Sequence, residues 1–106
     1  GGIAQGLGQV LGEHVRYGND GQLLNASLMD YTVPRAANMP VMATAHHSVP
    51  CTTNPLGVKG AGESGVAGAL PAGMNAVLDA LAQRGIDHFD LPASPQRVWD
   101  ALRQNA

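Results

Sequence analysis

Apolar side chains at Ile3, Leu7, Val10 and Leu11 recur at helical spacing and predict a first helix over residues 3–15. Gly2, Gly6, Gly8 and Gly12 interrupt it, and each glycine inside a helix costs about 1 kcal/mol against alanine. Such a helix is expected to persist only where something packs close to its backbone. His14 falls near the predicted helix end, where a cation suits the dipole. Tyr17 to Gln22 reads as a turn around Asp20-Gly21, a common hairpin dipeptide. Residues 23–33 then read as an irregular strand ended by Pro34, with Asp30 and Arg35 expected to pair.

Asn38-Met39-Pro40 is a second turn, and residues 41–49 read as a weakly alternating strand. Cys51 is expected to be a buried small hydrophobe. A glycine-rich stretch at 54–68 follows. Pro71 is then expected to open a helix with a stripe of Met74, Val77, Leu78 and Leu81, and Gly85 to close it as the C′ residue. Residues 86–91 read as a short strand. Ser94 and Pro95 start a last helix as N-cap and first residue, anchored by Val98, Trp99 and Leu102. Helix, strands, Gly-rich loop, helix, strand and helix, over a single domain 1–106, make the expected class α+β.

Composition changes the picture in one way. Charged residues are 13% of the 106, about half the usual share, and aromatics are 4%. A chain this poor in charge and rich in small residues is expected to pack against other polypeptide or a cofactor. Its opening at Gly1-Gly2, without Met and inside a helical pattern, is expected of a piece of something longer. The net charge of −2 gives no reason to expect nucleic acid or an anionic membrane as partner. No run of 18 or more apolar residues is present, so no membrane span is expected. The single cysteine excludes a disulfide framework and suggests a reducing, cytoplasmic setting.

The candidate chemistry lies in Asn54-Pro-Leu-Gly-Val-Lys-Gly-Ala-Gly-Glu-Ser-Gly-Val-Ala-Gly68, five glycines around one carboxylate, Glu63. One reading is a tight turn with a solvated glutamate. The other is a wall through which backbone approaches a large cofactor while Glu63 takes a proton. Gly60-Ala-Gly-Glu-Ser-Gly65 fits G-x-G-x-x-G, but no hydrophobic strand precedes it, so the dinucleotide signal is weak. Lys59 precedes the glycines, which excludes a Walker A loop. His46 and His47 are adjacent, would point to opposite faces of a strand, and have no further ligand at zinc spacing. Gln5 is the one amide at the start of the first helical face, and a solvated or capping role accounts for it locally.

Gly57-Val-Lys-Gly-Ala-Gly-Glu-Ser-Gly65, preceded by Thr53-Asn-Pro55, resembles the C-terminal signature of the molybdenum hydroxylases. These are the large subunits of the xanthine dehydrogenase, aldehyde oxidase and carbon monoxide dehydrogenase family. Gly2-Ile-Ala-Gln-Gly-Leu-Gly8 is similar to the family's glycine-rich helix, and Ser27-Leu-Met-Asp-Tyr-Thr-Val-Pro-Arg35 to its Asp-Tyr-x-x-Pro-Arg segment. Leu91-Pro-Ala-Ser-Pro-Gln-Arg-Val-Trp99 is similar to its closing helix. The resemblance implies a molybdopterin cofactor and a hydroxylation or oxidation whose oxygen comes from water, with Glu63 as general base. It implies that Gln5, Gly60, Ala61 and Gly62 contact the cofactor. Its implied partners are the remainder of the large subunit, iron–sulfur and flavin (FAD) subunits or domains, and a small substrate: a purine, an aldehyde, an N-heterocycle or carbon monoxide. Ser64-Gly65 departs from members with proline there and is closer to the bacterial branch. The chain alone is not expected to turn over. A free-standing interaction domain and a nucleotide-binding module are the competing readings.

Overall fold

The computed structural model describes residues 1–105. Their α-helices are α1 (Gly2–Leu11), α2 (Ser64–Ala82) and α3 (Pro95–Gln104), with a single 3-10 turn at Ala36–Asn38. The principal packing is α1 on α2. A methyl group placed on Gly6 would lie 2.7 Å from the Ala69 Cβ, and one placed on Gly73 would lie 2.9 Å from the Leu7 Cδ2. Gly2 and Gly6 on α1, and Gly65, Ala69 and Gly73 on α2, each recur every fourth residue. They form two small-residue ridges that let the backbones nearly touch. This close approach offsets the helix-propensity cost of the glycines.

α1 is shorter than the sequence predicts. The amides of Gly12 and Glu13 both donate to the Gly8 carbonyl, and the helix stops at Leu11. Beyond it the chain bonds to the buried Asn25, whose side chain accepts from the Arg16 N–H and donates to the His14 carbonyl. These bonds replace the helical ones, so His14 lies outside the helix instead of at its end. The turn at 17–22 forms as expected. Tyr17 and Leu23 make an isolated antiparallel bridge, and Gly21 takes the positive φ of +80°.

α2 starts at Ser64, so Pro71 sits in its interior and does not open it. Proline there removes one N–H from the ladder and costs about 3 kcal/mol in a helix. Pro71 and Ala67, whose carbonyl loses its donor, are both exposed, so water can take the vacated position. The end of α2 follows expectation. The Ile86 N–H donates to the Leu81 carbonyl and the Gly85 N–H to the Ala82 carbonyl, with Gly85 at φ +76°, the hydrogen-bond pair of a Schellman close.

At α3 the Ser94 hydroxyl accepts from the Arg97 N–H, and Pro95 occupies the first turn. The Arg97 guanidinium donates to the carbonyls of Asp90 (2.9 Å) and Pro92 (2.7 Å) and stands over the Phe89 ring. The Ala93 N–H donates to the Val10 carbonyl and ties this approach to the end of α1. The buried apolar set is small: Val10, Ala69, Leu81, Ile86 and Ala93.

The expected α+β class holds in its helices, whereas its strands do not form a ladder within the described residues. Among the described residues no β-ladder forms beyond the Tyr17–Leu23 bridge, so 23–33, 41–49 and 86–91 do not pair with one another as the strands expected from sequence. A strand needs a neighbour to take its backbone groups, and nothing among the described residues supplies one. Asp30 and Arg35 do not pair. The Arg35 N–H donates to the Asn38 side chain, and the close contact of a basic nitrogen with a carboxylate among the described residues is His88 Nε2 to Asp90 Oδ1 at 3.2 Å, fully outside the core. Cys51 is half-buried, with its Sγ 3.0 Å from the Thr53 Oγ1.

The chain is far more open than its length requires. Its accessible surface is 8265 Å², roughly half as much again as the about 5,600 Å² of a compact monomer of this size. Its radius of gyration is 17.5 Å, against about 13 Å for a self-contained domain. Leu28, Met29, Val41 and Leu56 are each at least 80% exposed. α2 is long and apolar enough, by length and composition, to cross a membrane, which the count of consecutive apolar residues did not anticipate. Its small-residue ridge lies against α1.

Candidate functional site

The glycine-rich stretch is built from two local closures. In the first, the Cys51 N–H donates to the Gly57 carbonyl and the Gly57 N–H to the Asn54 carbonyl. The Asn54 side chain accepts from the Val58 N–H and donates to the Val58 carbonyl, and Gly57 takes φ +66°. An asparagine that mimics a backbone turn, followed by a left-handed glycine, folds 50–58 back on itself. In the second closure, the Ser64 hydroxyl donates to the Ala61 carbonyl at 2.8 Å and pins the loop to the start of α2.

Between the closures lies a cleft of about 460 Å³. Residues 47–50 line it together with Gly57, Lys59, Gly60, Ala61 and Ser64. Of the residues singled out from sequence, Gly60 and Ala61 line it. Gly62, Glu63 and Gln5 do not; all three are exposed. Glu63 is the N-cap residue of α2, and its side chain caps nothing, so both carboxylate oxygens stay free for another partner. Gln5 lies on α1, whose first residue meets α2 at Gly65, so the helix starts that carry Gln5 and Glu63 adjoin.

The glycines divide into two groups. Gly2, Gly6 and Gly65 are explained by the helix crossing. A methyl group placed on Gly60 or Gly62 would meet nothing within 4 Å. Their smallness serves no packing inside this chain. An open, uncapped, glycine-lined surface beside a free carboxylate fits a bulky cofactor approached by backbone.

The cleft lining by His47 and Ser48 was not legible from strand alternation. The Asn54-Pro55…Gly57 turn signature is the signal that folds 47–50 against 59–61. No group of three His, Cys, Asp or Glu side chains able to hold a metal ion occurs among the described residues. The hydrogen bond from Thr53 holds the Cys51 thiol below its ordinary pKa.

Residues 1–40 match the model of the molybdopterin cofactor-binding domain. The chain is 36% identical to the carbon monoxide dehydrogenase large chain of Hydrogenophaga pseudoflava over 105 residues, which are 99% of this chain and 13% of that one. This chain is a segment of a molybdopterin-binding large subunit. The segment is also 41% identical to the nicotine 6-hydroxylase large subunit of Paenarthrobacter nicotinovorans over 103 residues, 97% of this chain and 13% of that one. It superposes on the Cu,Mo-CO dehydrogenase in its carbon monoxide-reduced state with a TM-score of 0.90 at 34% identity, again over 98% of this chain and 13% of the other. The large-subunit segment thus spans about an eighth of the length of the relatives it matches.

Proposed function

We propose that this segment supplies the general base and part of the cofactor wall of a molybdenum-dependent oxidoreductase, one that hydroxylates or oxidises a small substrate with oxygen from water. The observation that carries the reading is the pairing of a free N-cap carboxylate, Glu63, with glycines at 60 and 62 that no packing within the chain requires. When bound, the molybdenum cofactor supplies the two-electron redox chemistry. Glu63 accepts the proton that the attacking oxygen loses, a role that calls for a carboxylate held by backbone and otherwise uncommitted. Gly60, Ala61 and Gly62 bring main chain against the cofactor, and Gln5 contributes an amide from the adjoining helix.

The relatives' names specify carbon monoxide and nicotine; for this segment we assign the step they share, oxidation of a small molecule. Residues 1–106 act as one part of a larger molybdopterin-binding domain. The remainder of the large subunit covers the open surface, and iron–sulfur and flavin subunits in the cytoplasm carry the electrons away. The excess exposed area counts against a free-standing interaction domain.

In the full-length enzyme, Glu63→Gln is expected to remove turnover while molybdenum content stays at the wild-type level. Unimpaired turnover in that variant would overturn the role of Glu63.

A further inference from the structure

Residues 41–49 lie outside any helix or bridge, between Pro40 and Pro50, and every one of them is exposed. None of their backbone N–H or C=O groups takes part in a backbone hydrogen bond among the described residues. The segment holds nine consecutive residues with a free donor and acceptor each, bracketed by two residues that cannot donate at all. Prolines at those positions set the bounds of a strand. The composition is telling for an exposed edge. Val-Met-Ala-Thr-Ala-His-His-Ser-Val contains no Lys, Asp, Glu or Pro, the devices by which proteins protect an edge meant to stay unpaired.

We propose that residues 41–49 form a β-strand that adds to a sheet contributed by the rest of the same large subunit. This rests on the reading of the chain as a large-subunit segment. The choice of occupant follows from two observations. The chain keeps this shape, at a TM-score of 0.90, inside a relative of which it covers only 13%. The course of the segment is therefore shared with a longer protein, although no backbone hydrogen bond among the described residues holds it. The polypeptide that makes up the other seven-eighths is the backbone at hand to pair with it, in cis and at high effective concentration.

The pairing reaches the candidate site. His47 and Ser48, near the end of the segment, line the same cleft as Gly60 and Ala61. A strand fixed by ladder hydrogen bonds holds that lining in place, and the closure at Cys51–Gly57 transmits the register to the glycine-rich loop. On this account the loop beside Glu63 is positioned by strand addition as well as by α2.

Hydrogen exchange of the full-length large subunit, read by mass spectrometry over residues 41–49, tests the proposal. A strand in a sheet predicts that at least alternate amides of the segment exchange roughly 100-fold or more slowly than in an unstructured reference. Exchange at the unstructured rate, with α1 and α2 protected in the same sample, would overturn it. Protection that vanishes when the subunit is diluted to monomer would also overturn it, because the partner would then be a second copy. Molybdenum content and turnover of the same sample report on the proposed function separately. Full protection in an inactive, metal-loaded enzyme leaves the strand standing and removes the catalytic reading.

Discussion

Gly2 and Gly65 meet backbone to backbone: a methyl group placed on Gly2 would stand 3.1 Å from the Gly65 Cα, and one placed on Gly65 would stand 3.3 Å from the Gly2 Cα. This contact joins the helix that carries Gln5 to the helix capped by Glu63. The crossing, repeated one turn on at Gly6 and Ala69, is what brings together two helix starts nearly sixty positions apart in sequence.

The same crossing sets the first prediction. In Gly6→Ala the new methyl would lie 2.7 Å from the Ala69 Cβ, which has no rotamer with which to retreat. The variant is expected to be destabilised by about 1–3 kcal/mol, more than the helix-propensity gain returns. The thermal midpoint of Gly6→Ala in the full-length subunit should fall below that of the wild type, and an unchanged midpoint would remove the close helix crossing from the account.

Tyr31 predicts a pH dependence. Its hydroxyl donates to the Glu13 Oε1 at 2.9 Å, and that bond holds the phenol pKa above its ordinary value. A group whose folded pKa is raised contributes stability that is present below the unfolded pKa. The contribution is lost as pH rises through the folded one. Alkaline titration should therefore destabilise the wild type through this group. Tyr31→Phe should be less stable at neutral pH and show a smaller alkaline loss. Denaturation midpoints of the two proteins against pH give the comparison; parallel curves would remove Tyr31 from the account.

Arg97 gathers the approach to α3 by donating to two carbonyls, of Asp90 and Pro92, while covering Phe89. A lysine at this position cannot reproduce the planar fork and loses part of the stacking. Arg97→Lys is expected to cost about 1–2 kcal/mol. The loss should appear as faster hydrogen exchange over 86–93 before α1 or α2 is affected. Unchanged exchange there would show that the side chain is not the clamp.

Legibility in the sequence followed the range of the interaction. The Ser94-Pro95 start, the Gly85 close and the Asp20-Gly21 turn are written in adjacent residues, and each formed as expected. The start of α2 was misread because Pro71 is a strong local signal, whereas the pinning of Ser64 to Ala61 is specific to this loop. α1 was read too long because the bonds from Asn25 to His14 and Arg16 arrive from eleven and nine residues away. The expected strands at 23–33, 41–49 and 86–91 follow local composition, and pairing, which depends on distant backbone, does not occur among the described residues. Glu63 and its glycines stood out from composition alone, but what distinguishes Gly60 and Gly62 from Gly2 and Gly6 is visible only in three dimensions.

The central claim is that Glu63 acts on the proton of the reaction and does not build the site. The most direct measurement is the rate at which substrate reduces the metal centre in a single turnover, in wild-type enzyme and in Glu63→Gln at equal molybdenum content. Loss of a general base predicts a rate slowed by about 100-fold or more, with the cofactor still bound. Equal rates in the two proteins would contradict the account and return Glu63 to the role of a solvated N-cap residue.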